Sequence, residues 1–197
     1  LQAAVKAHPQ NGLALAALAA QLARRAGGGE PDEQHEALDE AQLLATQATQ
    51  LAGDDYRTWA ALADVHRARG DFSQAGFFYG FALRLAPEAP ALLKDAGANW
   101  LQARQAKQAL PLIKQAIAAA PQDAENLGNL AFAHILLGDP QAALEAARRA
   151  AKLGPPHARL RILHGDLALR AGKKEEALEA WARAAELEPG ITINPEG

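Results

Sequence analysis

The chain contains no cysteine and no methionine. Without a thiol it can form neither a disulfide nor a thiolate metal site. Lacking a methionine even at its first position, it is expected to begin downstream of its translation start. Aromatic residues make up only 5% of it. Val, Ile and Thr are sparse, which argues against a β architecture. Neither charge is in large excess: 20 Lys and Arg face 23 Asp and Glu, for a net charge of −3 and a pI near 6.1. No basic surplus is available to neutralise a phosphate backbone, so nucleic acid is not an expected partner. No apolar run approaches the roughly 20 residues that cross a bilayer. A Gly-rich phosphate loop, a His-Glu-x-x-His helix and a nucleophile elbow are all missing. The expectation is a protein that is not an enzyme and needs no cofactor or metal. The compartment is left open.

What is present is alanine and leucine, strong helix formers that supply most of the 49% hydrophobic content. They recur with a period. Pro87, Pro121, Pro155 and Pro189 are each 34 residues apart. With proline as position 32 of a 34-residue unit, complete units span 56–89, 90–123, 124–157 and 158–191. Position 8 is then Ala63, Gly97, Ala131 and Gly165; position 20 is Ala75, Ala109, Ala143 and Ala177; position 27 is Ala82, Ala116, Ala150 and Ala184. Antiparallel helices approach closely only where neither carries bulk at the crossing. Gly70, Gly138 and Gly172 hold position 15, where a first helix ends and positive φ is wanted. Arg104 replaces glycine there in the second unit, so that turn is either strained or its helix ends a residue early. Asp71 with Gln74 reads as a capping box, and Asp139-Pro140 as an N-cap followed by proline in the first turn.

Trp59, Leu62 and Ala63, the Gly70-Asp71 turn, Ala75, Tyr79, Ala82 and Pro87 resemble the consensus of the tetratricopeptide-repeat (TPR) family, in a bacterial-type form. The register covers nearly the whole chain. The resemblance implies an all-α fold: a right-handed superhelical solenoid of antiparallel helix pairs, about five repeats long. Residues 12–53 read as a further, degenerate repeat, with Leu15, Leu18 and Ala19 on its first helix and Ala41, Ala45 and Ala48 on its second. An insertion at 27–36 opens with Gly27, Gly28 and Gly29 and runs into acidic residues, which suits a lengthened, solvated second helix. Residues 1–9 read as the end of a truncated upstream repeat, and 192–197 as a tail. That tail is too short and too β-branched for a capping helix. Ile191 and Ile193 are expected to fold back on the last helix, or a second copy to cover it as a homodimer.

Function in such a family is protein binding. Positions 2, 5, 6, 9, 12 and 13 of the first helices line the concave groove in relatives. Here the unit starting at 56 offers Arg57, Asp64 and Arg67, and the next offers Lys94, Asp95 and Leu101. The third offers Asn129, Phe132, Ile135 and Leu136, and the last Arg159, Ile162, Leu169, Arg170 and Asp166. A groove polar at one end and apolar at the other suits a peptide or helical segment with apolar anchors and some acidic residues. Some relatives hold a C-terminal carboxylate in a clamp; Lys94 and Asn129 match it and Arg159 is a basic substitute, while Ala98 and Leu163 do not match. Phe77 and Phe81 replace residues usually charged and outward, and lie at i and i+4 on one face. They are expected either to be covered by the enlarged first unit or to form a convex contact patch. His66, His134 and His164 fall at interhelical packing positions. Two further roles fit the pattern: a subunit of a bacterial assembly pathway such as cytochrome c maturation, or the repeat region of a larger enzyme.

Overall fold

The structure, a computed structural model, describes residues 2–26, 31–153 and 157–193. Among these, every regular element is an α-helix. Backbone contacts divide the chain into two compact units, Leu1–Ala103 and Arg104–Gly197.

The first unit holds α1 (Gln2–Ala7), α2 (Gly12–Ala26), α3 (Pro31–Leu51), α4 (Tyr56–Ala68), α5 (Phe72–Leu85) and α6 (Pro90–Gln102). Helix α2 pairs with α3 and α4 with α5, and α4 also packs on α2 and α3. The core is built on small residues. Ala19, Ala41, Ala45, Ala63, Ala75 and Ala82 have no exposed surface, which lets the helix axes approach closely. Larger side chains fill the gaps between pairs: Leu22, Leu38, Leu44 and Phe78 pack against a cluster containing Ala23, Leu62 and Val65. Val5 of α1 packs on a second cluster with Leu15, Ala16, Ala48 and Ala61. Helix α3, with 21 residues, is the long second helix that the sequence predicts, and Asp32 and Glu33 lie in its first turn. Gly27–Gly29, the opening of the insertion, lies outside the described residues.

The second unit holds α7 (Ala106–Ala119), α8 (Ala124–Leu137), α9 (Pro140–Lys152), α10 (Ala158–Arg170) and α11 (Lys174–Leu187). Helix α8 pairs with α9 and α10 with α11, while α7 packs on α8 and α9 on α10. Ala131, Ala143, Ala147, Ala168 and Ala177 are fully buried with Leu144 and Trp181 around them. Ile193, beyond α11, packs against this cluster, so the tail folds back as far as that residue. Residues 194–197 and Pro155 lie outside the described residues.

Helix ends follow local chemistry. The carboxylates of Asp55, Asp71, Asp123 and Asp139 each accept a backbone N–H from the first turn of α4, α5, α8 and α9. Gly70, Gly138 and Gly172 stand at φ 79°, 75° and 75°, and Arg104 stands at 57°. The helix does not stop early at Arg104; arginine takes the left-handed turn that glycine takes elsewhere.

Two glycines are there for space rather than for φ. A Cβ on Gly76 would overlap the six-membered ring of Trp100, and one on Gly165 would overlap the indole of Trp181. Each indole therefore lies against bare helix backbone.

Candidate functional site

In the first unit the predicted residues Arg57, Asp64 and Arg67 are drawn into hydrogen bonds. Arg57 is exposed, but its guanidinium grips the capping carboxylate of Asp55 through two bonds, Nε to Oδ1 at 2.9 Å and Nη2 to Oδ2 at 2.6 Å. That hydrogen bond from Arg57 holds the Asp55 carboxyl below its ordinary range. Asp64 is half-buried and accepts both the Tyr79 hydroxyl at 2.5 Å and Arg67 Nη2 at 3.0 Å. Burial, reinforced by the Asp64 carboxylate, pushes the Tyr79 phenol far up, so Tyr79 remains the donor. Burial works against the Arg67 cation, but the neighbouring Tyr79, Asp64 and Asp95 outweigh it and raise its pKa. Asp64 and Arg67 border a cavity of about 250 Å³ together with Gln34, Leu38 and Gln102. Lys94 is half-buried and Leu101 is buried.

In the second unit the predicted residues are mainly apolar. Ile135, Ile162 and Leu169 are half-buried and pack against the core cluster, so part of their surface is structural. Leu136 and Asn129 are half-buried; Arg159 is exposed and Arg170 is exposed at the end of α10. Phe132 is 39% exposed on α8. Phe132 and Leu136 lie one turn apart, on the same face. Asp166, the counterpart of Asp64 in the last unit, accepts the Trp181 indole N–H at 3.0 Å.

The two phenylalanines on α5 have different surroundings. Phe81 stacks on Trp59 with ring centres 4.9 Å apart and carries the Arg84 guanidinium 4.1 Å above it. Phe78 is the ring that packs against the cluster shared with α2 and α3. Phe77 is 57% exposed and touches Phe78 and Phe81 edge-on. Leu43 at 60% holds the same repeat position on α3, and Leu51 and Leu85 form a second exposed matching pair. The sequence reading missed this recurrence, although the 34-residue spacing displays it.

His66 Nδ1 lies 3.5 Å from Asp71 and His134 Nδ1 3.8 Å from Asp139, the same pairing in two repeats. His164 meets Glu176 at 2.7 Å. Among the described residues no three His, Asp or Glu side chains come together as a metal site, and no helix is long and apolar enough to cross a membrane.

Comparison with known proteins agrees with the repeat architecture. Residues 102–184 match the family described as anaphase-promoting complex, cyclosome, subunit 3. No curated protein sequence matches. Among solved structures, residues 41 to the end of MamA from Desulfovibrio magneticus RS-1 superpose with a TM-score of 0.72 at 23% identity, covering 88% of this chain and 95% of that one. YrrB, described as a TPR protein with an unusual peptide-binding site, gives 0.69 at 19% identity over 98% of this chain and 94% of its own. A thermophilic TPR protein of Thermus thermophilus gives 0.64 at 20% identity, over 79% and 85%. The 34-residue register, the helix pairs it produces and the superposition on these structures give this chain the tetratricopeptide-repeat fold.

Proposed function

We propose that the chain is a non-catalytic protein-interaction scaffold, which binds a peptide or helical segment of a partner through first-helix residues of its second unit. The observation that carries this reading is Phe132, a large apolar side chain left 39% exposed beside half-buried Leu136. Binding energy in protein contacts concentrates in a few aromatic or aliphatic anchors that become desolvated. Ile135, Ile162 and Leu169 offer the firm apolar floor such an anchor needs, because the core cluster behind them fixes their positions. Arg159 and Arg170 on α10 are exposed and supply positive charge for acidic residues in the ligand. YrrB shares the fold, and the peptide binding its description records is consistent with the same use here. In the first unit Arg57, Asp64 and Arg67 are bound to Asp55, Tyr79 and each other, so we assign the apolar contacts to the second unit and a secondary polar role to the first.

Selection of amphipathic helical peptides from a displayed library against the purified chain tests this. The expectation is peptides of micromolar affinity whose binding falls at least tenfold in Phe132→Ala/Leu136→Asp, while the helical circular-dichroism signal stays unchanged. The affinity should weaken only modestly with salt, because the anchors are apolar. Selected peptides that bind the double variant as tightly as the wild type would move the binding surface elsewhere. Phe77, Phe81 and the leucines that repeat beside them would then be the next place to look.

A further inference from the structure

A cavity of about 460 Å³ opens between α9, α10 and α11. It is bounded by Arg148, Lys152, Arg161, His164, Glu176 and Arg183, with Glu179 at its edge. Two of these residues stand where the other complete repeats are apolar. Position 4 is Trp59, Leu93 and Leu127 in the earlier units and Arg161 in the last; position 7 is Leu62, Ala96 and Leu130, then His164. The last repeat has given up apolar packing at this junction for a set of charged groups.

Most of those charges are paired. Arg148 holds Glu176 through two bonds, Nε to Oε1 at 2.6 Å and Nη2 to Oε2 at 2.7 Å, and His164 Nε2 lies 2.7 Å from the same carboxylate. Arg183 pairs with Glu179 one turn away on α11. Arg161 and Lys152 have no ion-pair partner among the described residues, and Arg161 Nε is buried without an acceptor. The cavity thus carries four guanidinium or ammonium groups against two carboxylates, His164 aside. A guanidinium partly removed from water without an acceptor is costly unless an anion comes to it. Arg148 is already paired, with Glu176 in its fork and Glu145 Oε2 3.8 Å from its Nη1. The excess charge therefore rests on Arg161 and Lys152.

We propose that this cavity is a binding site for an oxyanion, the carboxylate or phosphate group of a ligand, held by Arg161 and Lys152, with the Glu176-locked Arg148 fixing the wall beside them. An arginine fork and a flexible ammonium at the rim are the usual pair for such a group. None of these residues belongs to the concave positions, so the inference stands independently of the peptide-binding reading.

The test is titration of the whole chain with inorganic phosphate and, separately, with a blocked tri-glutamate peptide. Both are followed by amide chemical shifts at constant ionic strength in chloride. Saturable binding at one site is expected. It should weaken at least tenfold in Arg161→Gln, severalfold in Lys152→Gln, and not at all in Lys114→Gln, an exposed cation on α7. Saturation by phosphate alone assigns the site to phosphate groups, and saturation by the peptide alone to carboxylates. Lys152 is exposed, so its variant keeps the test sound if Arg161→Gln loses stability. Absence of saturation by either probe at tens of millimolar, or unchanged binding in both variants, would overturn the proposal.

Discussion

Arg104 is the only non-glycine described residue with positive φ, at 57°. Its Cβ crowds the carbonyl there, at a cost of about 1–2 kcal/mol. Glycine would relieve that strain but adds freedom to the unfolded chain, which offsets part of the gain. Arg104→Gly is therefore expected to stabilise by up to about 1 kcal/mol, read as a higher urea midpoint with an unchanged slope. A midpoint at or below wild type would show that the turn carries no strain. Two helical glycines on α5 give opposite predictions. Gly80 has nothing within 4 Å of where a Cβ would sit, so Gly80→Ala should stabilise by up to about 1 kcal/mol through helix propensity. At Gly76 the same change drives a methyl into the Trp100 ring, and overpacking of this kind costs about 1–3 kcal/mol. If both variants unfold at the same urea concentration, the Trp100 seat is softer than its geometry indicates.

Between elements, the clearest pH effect lies in the contact that joins α9, α10 and α11. The Arg148 hydrogen bonds, helped by His164, lower the Glu176 pKa from an ordinary 4.5 to about 2. A depressed carboxylate stabilises the fold fully above about pH 4.5 and loses that contribution as pH falls through about 2. Melting temperatures of wild type and Glu176→Gln should converge over this window, and parallel curves would show that Glu176 contributes nothing to acid stability. The repeat period, the small crossing residues, the glycine turns and the long α3 were all legible in the sequence, because each is set by spacing along one helix or by one turn. The partner of Asp64 was not: its position places it in the groove, yet its carboxylate is taken by Tyr79 from the second helix of the same repeat. A signal for this was present. Position 9 is aspartate only in the two units whose position 24 carries a donor, Tyr79 and Trp181, and is Ala98 or Phe132 where position 24 is Ile113 or Ala147. The gathering of Arg148, Arg161, His164 and Glu176 could not be read, since it needs three helices in register at once.

For the molecule as a whole, energetics in helical repeats run between neighbours, so the face of each helix pair depends on whatever packs against it. Ile193 packs against the cluster that contains Ala177 and Trp181. Deleting residues 191–197 should expose that cluster and promote self-association. Light scattering that stays monodisperse at high concentration would mean that Ile193 protects nothing. The three tryptophans are divided unevenly, with Trp59 and Trp100 in the first unit and Trp181 in the second. Trp181 is 7% exposed, lies against Gly165 and donates its indole N–H to Asp166. The chain therefore carries its own fluorophores. With Trp59 and Trp100 changed to phenylalanine, the remaining emission belongs to one unit alone, and comparing its red shift with the loss of helical ellipticity would reveal whether the two halves melt as one cooperative body or in turn.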